Sequence, residues 1–343
     1  MLYVGVDVHV RRSCVCILSE SGRRIKEFTV SGDVDALVES LGSLEGSLSV
    51  CYEASCGYGH LYDRLSGVAD RVVVAHPGQL RLIFRSKRKN DRVDARKLAM
   101  LLLMDQVPAV HVPRVDVRGW RQLIEFRHRL VREQTRVKNG LRSLLRGMGV
   151  SLPHRAALWT RKGELWMASL ALSTNLSMVQ RDVLLESLRQ VRDRLRRVER
   201  ELKVLADGHP GVALLRTIPG VGIRTAEAVV AYIDDARRFR TSRQVGSYFG
   251  LVPCQDQSAD RNRLGHITRE GPSTVRKLLT EAAWQGIRRS GTIGAYFERV
   301  CGGDASRRKI ALVATAHYLV RCMHAMLRNG EHWREREESK RAA

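Results

Sequence analysis

The stretch LYVGVDVHVRRSCVCILSE, residues 2–20, decides the fold. Apolar residues alternate with small or polar ones on either side of a basic pair, the period-two pattern of two strands joined by a short turn. In the first strand Val4, Val6 and Val8 share one face, and Tyr3, Gly5, Asp7 and His9 share the other. A carboxylate on the face of a half-buried strand is costly unless it is paired or holds a metal ion. Asp7 is therefore the first candidate for chemistry, with a plain salt bridge as the bland alternative.

Outward from that stretch the α/β pattern continues. RRIKEFTV (23–30), LSVCYEAS (48–55) and DRVVVAH (70–76) read as strands, the last stopped by Pro77. DVDALVESL (33–41) and GHLYDRLSG (59–67) read as helices, and a further helix runs from about Asp91 to Met104. Three early strands, then helix and strand in alternation, is the order of a ribonuclease-H-like α/β domain, expected over residues 1–106.

VPAVHVPR (107–114) reads as a linker because its prolines discourage regular structure. Residues 115–148 read as mostly helical, with ten Arg or Lys against three acids from Arg114 to Arg146. Leu184, Val191, Val198 and Leu205 recur every seven residues, with Leu188, Leu195 and Leu202 between them. That spacing predicts a two-stranded coiled coil or, equally, an intramolecular hairpin with the 115–148 helix. Residues 107–208 are thus expected as a helical linker and partly coiled-coil region, 209–330 as a mostly helical C-terminal domain, and 331–343 as a charged, frayed tail.

Within the C-terminal part, VALLRTIPGVGIRTAEAVVAYI (212–233) sets Pro219, Gly220 and Gly222 in a tight turn between two apolar helices. It has the look of a helix-hairpin-helix, whose turn amides grip a backbone phosphate, or of a plain helical turn. CQDQSADRNRLGHITREG (254–271) reads as a polar loop, and the segments 273–290 and 306–330 as amphipathic helices.

The 343 residues are 44% hydrophobic and carry a formal charge of +23, from 59 Lys and Arg against 36 Asp and Glu. Such a surplus predicts an anionic partner, nucleic acid first, with an anionic membrane surface or an acidic protein as alternatives. Seven cysteines, at 14, 16, 51, 56, 254, 301 and 322, lack the paired spacing of a zinc site. Cys14, Cys16 and Cys51 sit among Val and Ile and are expected as buried thiols in a reducing compartment. The N-terminal residues show no basic leader, and IALVATAHYLV (310–320) is too short to span a membrane.

RSKRKNDRVDARKLAMLLL (85–103) places Asp91 and Asp94 three residues apart, on one face of a helix start. Acids at a helix N-terminus are favourable in their own right. Glu53, however, ends an apolar strand as Asp7 does, and the four together suit a divalent metal. Magnesium takes oxygen ligands at about 2.0–2.1 Å and is held through a few carboxylates plus phosphate. Two ions about 3.5–4 Å apart can serve the attacking and leaving oxygens of a phosphoryl transfer. Arg85, Lys87, Arg88, Lys89 and Arg92 supply a rim that draws in a phosphate backbone.

GVDVH (5–9), YEASCGYG (52–59) and NDRVDARKLA (90–99), followed by TIPGVGIRTAEAVVAYI, RRFRTSRQVGSYFGLVP, QSADRNRLGHITREG and VRKLLTEAAW, resemble the DEDD insertion-sequence transposases, the bridge-RNA-guided serine recombinases, over about residues 2–330. The resemblance implies an N-terminal RuvC-like domain and a C-terminal transposase domain. It implies that Asp7, Glu53, Asp91 and Asp94 bind Mg2+, with Mn2+ able to substitute, and that Ser258 is a nucleophile attacking a DNA phosphodiester. Arg261, Arg263, His266 and Arg269 lie in the same segment as that serine and would neutralise phosphate. Ala259 stands where the family usually has glycine after the serine, and VHV follows the first acid in place of a VSK-like run. The implied partners are the double-stranded DNA of donor and target, a structured guide RNA, and further copies of the chain, as a homodimer assembling to a homotetramer with composite sites. No membrane partner is implied, and the expected location is the cytoplasm of a prokaryote, at the nucleoid. The competing expectations are a metal-dependent junction resolvase or nuclease without a covalent intermediate, and a non-catalytic nucleic-acid-binding protein whose acids are salt-bridged.

Overall fold

A computed structural model describes residues 1–55, 57–83, 90–154, 157–258 and 261–335, without the side chains of Ser258, Arg261 and Asn262. The chain forms two compact units, Met1–Arg118 and Gly119–Ala343. The first contains β1 (Leu2–Val8), β2 (Arg12–Leu18), β3 (Arg24–Ser31), α1 (Val34–Gly42), β4 (Leu48–Glu53), α2 (Tyr58–Leu65), β5 (Arg71–Ala75), α3 (Pro77–Ile83) and α4 (Asp91–Leu103). The strands lie in the order β3-β2-β1-β4-β5. The pairs β1–β2 and β2–β3 are antiparallel, while β1–β4 and β4–β5 are parallel. This mixed sheet is the one expected of a RuvC-like α/β domain.

Alternation along β1 assigns its two faces. Val4 and Val6 join Val15, Ile17, Val50 and Tyr52 in a core covered by Leu37 and Leu41 of α1 and Leu61 and Leu65 of α2. Each such fully buried side chain is worth about 1.5–3 kcal/mol. On the opposite face Cys14, Cys16 and Leu18 pack under Ala95 and Ala99 of α4, and Cys51 packs under Leu98, Leu101 and Leu102. The three thiols are buried as expected, and burial pushes the Cys51 thiol up to about 12. Pro77 ends β5 but also begins α3, consistent with the preference of proline for a first helical turn.

The second unit is mostly helical. From α5 (Val115–Gly147) the chain continues through α6 (Arg161–Ser169), α7 (Asn175–Asp207), α8 (Pro210–Leu215), α9 (Ile223–Ile233), α10 (Ser242–Tyr248), the strands β6 (Pro253–Ser258) and β7 (Arg261–Ile267), and then α11 (Ser273–Ile287), α12 (Gly291–Cys301) and α13 (Arg308–Asn329). Most of the heptad stripe of α7 is buried within the chain, Leu205 excepted. Val191, Leu195, Val198 and Leu202 share a core with Trp120, Ile124 and Leu130 of α5, and Leu185 and Leu188 share another with Leu141 and Leu145. The ion pairs Arg127–Glu199 (2.6 Å) and Arg194–Glu133 (2.7 Å) run in antiparallel register. Of the two expectations for this stripe, the intramolecular hairpin is the one the fold uses.

By length and composition the segment Ala305–Asn329 could cross a membrane, with a mean hydropathy of 1.4 over 18 residues. The apolar run 310–320 lies within this longer segment, whose length the run alone understates. In the unit, Ala316, Leu319, Val320 and Met323 of α13 are fully buried in the main core.

The start of the tail is docked. Trp333 N donates to Thr217 Oγ1 (3.1 Å), and Glu335 accepts from Thr292 N (3.0 Å) and Trp333 Nε1 (3.1 Å). Partial burial pushes the Glu335 carboxyl up, but hydrogen bonds from Thr292, Ser290 and Trp333 outweigh it and hold it at about 2. A depressed acid contributes stability that is present above its unfolded value, about 4.3, and is lost as pH falls toward 2. Glu335→Gln should therefore flatten the acid limb of a pH–stability profile between those values. The effect should stay below about 1 kcal/mol, because the side chain is exposed and screened. An unchanged acid limb in the variant would refute the assignment.

Candidate active site

The site is built where α4 crosses β1. Asn90 caps that helix, its Oδ1 accepting from Arg92 N at 3.0 Å. The capping role is thus filled, and the carboxylates of Asp91 and Asp94 stand in the first turn, where the helix dipole favours negative charge. Gly5 sets how closely the helix approaches. A Cβ there would drive into the carbonyl oxygen of Ala95 and the amide nitrogen of Ala99. The backbone of α4 therefore rests directly on β1 two residues before Asp7, with Asp91 one helical turn before Ala95.

His9 Nε2 lies 3.3 Å from Asp7 Oδ2 and 3.4 Å from Asp91 Oδ2. Ligand atoms of Asp7, His9 and Asp91 all fall within 4.8 Å of one another, the spacing of a site able to hold a metal ion. Arg12 Nη2 donates to Asp91 Oδ2 at 2.8 Å. Partial burial pushes the Asp91 carboxyl up, but the Arg12 hydrogen bond and the neighbouring His9 and Arg12 outweigh it and hold it below its ordinary value. Asp91 is therefore the anion at neutral pH, in the form a cation needs.

The other two acids lie outside that group. Asp94 Oδ1 accepts from Lys97 Nζ at 3.2 Å. Glu53 is exposed at the end of β4. The parallel β1–β4 register ends at Val6↔Tyr52, so Asp7 and Glu53 are the next residues on adjacent strands. Where the sequence suggested four convergent carboxylates, the structure gathers two carboxylates and an imidazole, with Glu53 and Asp94 on the flanking strand end and helical turn. Of the basic rim, Arg85, Lys87, Arg88 and Lys89 lie outside the described residues. Arg92 is exposed, with its Nε 4.0 Å from Glu27 Oε1.

In the second unit, the segment read as a polar loop is an exposed antiparallel hairpin of β6 and β7. Ser258 and Arg261 are its last strand pair, and Ala259 and Asp260 lie outside the described residues. Arg263 is paired in register with Asp256, and His266 is exposed. The base of the hairpin is tightly fixed. Gly250 and Arg269 adopt φ of +64° and +58°, and Gly271 adopts +68°. Arg276 Nη1 donates to the carbonyls of Gly271 (3.0 Å), Phe249 (3.3 Å) and Glu270. Gly220 also has a packing role. It adopts φ +89°, and a Cβ there would collide with the backbone of Gly286 in α11. Gly222 begins α9 as an exposed N-cap. The turn is built between two helices, and its glycine at 220 is accounted for by close backbone packing.

Two family models match the chain in tandem, a DEDD-type transposase model over residues 4–150 and one described as the transposase IS116/IS110/IS902 family over residues 212–298. The chain belongs to the IS110-type transposase family. It is similar to the transposase for insertion sequence element IS1111A of Coxiella burnetii, at 28% identity over 82% of this chain and 76% of the relative. It is also similar to a probable family 20 transposase of Pseudomonas aeruginosa, at 29% identity over 66% of this chain and 68% of the relative. An insertion element IS110 protein of Streptomyces coelicolor matches at 24% identity over 87% of this chain and 82% of its own length.

For this IS110-type chain, sequence reasoning passed over two residues at the acidic centre. His9 was placed on the face of Asp7 but given no role. Arg12 lies just beyond the turn, where His9 N donates to Arg12 O at 3.0 Å. The signal for both was the β1–β2 hairpin, which returns the chain beside the end of β1 and brings Arg12 to Asp91.

Proposed function

We propose that the chain is the transposase of an insertion sequence, cutting and rejoining DNA by phosphoryl transfer. The observation that supports this most is the convergence of Asp7, Asp91 and His9 at the end of the central strand of a RuvC-like sheet, in a chain with both family matches in order. Asp7 and Asp91, assisted by Glu53 and Asp94, would hold Mg2+ or Mn2+. That cation would supply charge stabilisation at the phosphate. Arg12 keeps Asp91 ionised and oriented.

Ser258 is the proposed nucleophile. Its Oγ forms a bond to a DNA phosphorus as the P–O bond to the neighbouring nucleotide breaks. The departing oxygen leaves as a free hydroxyl, taking up the proton lost by the serine. Attack by a DNA hydroxyl on the phosphoserine reverses the exchange and rejoins the strand. The rigid hairpin base, held by Arg276 and the positive-φ residues, supports a fixed exit direction for the strand that carries Ser258. Arg263, His266 and Arg269 would meet phosphate, and contacts of this kind position a duplex without reading it. Sequence choice would then come from a structured guide RNA, by base pairing.

The test is capture of a covalent protein–DNA adduct on a denaturing gel. The wild-type chain with its element-end DNA and RNA should yield one, and Ser258→Ala should yield none while still binding RNA. An adduct that persists in Ser258→Ala would remove the serine from its role. Metal-dependent cleavage by the wild type with no adduct would instead identify a hydrolytic nuclease or junction resolvase.

A further inference from the structure

We propose that His9 is a nitrogen ligand of the cation held by Asp7 and Asp91, making this centre a mixed nitrogen–oxygen site that favours Mn2+ over Mg2+. The inference rests on the metal-binding part of the reading above and is independent of Ser258.

The geometry supplies the argument. One atom, His9 Nε2, faces both carboxylates, at 3.3 Å from Asp7 Oδ2 and 3.4 Å from Asp91 Oδ2. A protonated Nε2 carries a single hydrogen and donates well to one oxygen only. A cation between the three atoms serves all of them at once. Adjacent donors around an octahedral ion with bonds of about 2.1–2.2 Å stand about 3.0–3.1 Å apart. The two His9 separations are only slightly longer, and the three ligand atoms all lie within 4.8 Å of one another, so an inward movement closes the site.

The elements make that movement inexpensive. Asp7 is held in the central strand, and Asp91 is fixed by α4 resting on Gly5. His9 lies one residue beyond β1 with its side chain 40% exposed, at the open edge of the group. Arg12, 62% exposed, donates to the same Asp91 Oδ2 that faces His9 and offsets the paired negative charge.

The chemistry then sets the metal. Magnesium prefers oxygen donors and retains its waters, whereas imidazole favours the first-row transition ions. An Asp–His–Asp set therefore gains more with Mn2+ than with Mg2+.

The test is pulsed electron paramagnetic resonance of the full-length protein with Mn2+, alongside calorimetric titration of Mn2+ and Mg2+. The wild type should show 14N modulation from a directly bound imidazole. His9→Ala and the bulkier His9→Gln should both lose that modulation while still binding Mn2+, about tenfold more weakly, with Mg2+ affinity changed by less than about threefold. Mn2+ bound to the wild type without nitrogen modulation, or modulation that survives both substitutions, overturns the assignment of His9. Failure of the wild type to bind either ion overturns this assignment together with the metal site itself, and leaves the test of Ser258 standing.

Discussion

Replacing Gly5 with alanine is expected to destabilise the N-terminal unit by about 1–3 kcal/mol and to remove most DNA-cleaving activity. The backbone dihedrals are not the cause, because Gly5 is absent from the residues with positive φ. The cause is steric. The new methyl group would meet the carbonyl oxygen of Ala95 and the amide nitrogen of Ala99, which are backbone atoms of α4. No rotamer change relieves such a contact, so the helix must lift or the strand must bend. Trimming the side chains above it, as in Ala95→Gly, should not rescue the variant. Lifting α4 carries Asp91 away from Asp7 and His9, and sites of this kind tolerate displacements of only about 0.5 Å. Valine should be worse than alanine in both respects. Urea unfolding followed by a probe in the N-terminal unit, together with a cleavage assay, checks the claim. A Gly5→Ala protein with the wild-type midpoint and activity would show that the helix does not rest on that strand as described.

The same contact shows what a sequence reveals and what it conceals. Alternation placed Gly5 and Asp7 on one face of β1, and that placement holds. The reason for glycine at position 5 lies about ninety residues away, in Ala95 and Ala99, and no local pattern carries it. The strands of the first unit were legible because most of them are strongly apolar, as in β1, β2 and β4, whereas their order in the sheet came only from the fold. The β6–β7 hairpin was not legible, since both faces of Gln255, Asp256, Gln257, Arg263 and His266 are polar and exposed, leaving no alternation to read. The heptad stripe was legible as a stripe, but its partner was not. Val191, Leu195 and Val198 would bury as well against a second copy as against α5, and the residues they do meet, Trp120, Ile124 and Leu130, lie far off in the sequence. Leu205 shows the limit of the pattern, remaining 45% exposed although it keeps the seven-residue spacing. At the site, three-residue spacing correctly put Asp91 and Asp94 on one helical turn. It could not tell that Asp91 meets Arg12 and His9 while Asp94 meets Lys97.

That division between the two aspartates gives the second large effect. Asp7→Asn should reduce metal-dependent DNA cleavage by about 10³-fold, the several kcal/mol expected when charge stabilisation at a phosphate is lost. The amide keeps the shape of the side chain but contributes no charge to the group shared with His9 and Asp91. Binding of the ion gives a readout separate from activity. A cation at about one hundred times its Kd stabilises the folded wild type by about 2.7 kcal/mol, and Asp7→Asn and Asp91→Asn should each lose most of that increment. Asp94→Asn and Glu53→Gln should retain more of it, because neither carboxylate belongs to the Asp7–His9–Asp91 group in the folded protein. Their losses should fall instead on cleavage, once DNA phosphate brings further ligands to the site. Equal loss of metal-induced stabilisation across all four variants would mean that the four acids close around the ion before DNA arrives. If Asp7→Asn kept both the stabilisation and the cleavage, the acidic centre at the end of β1 would have no part in the chemistry.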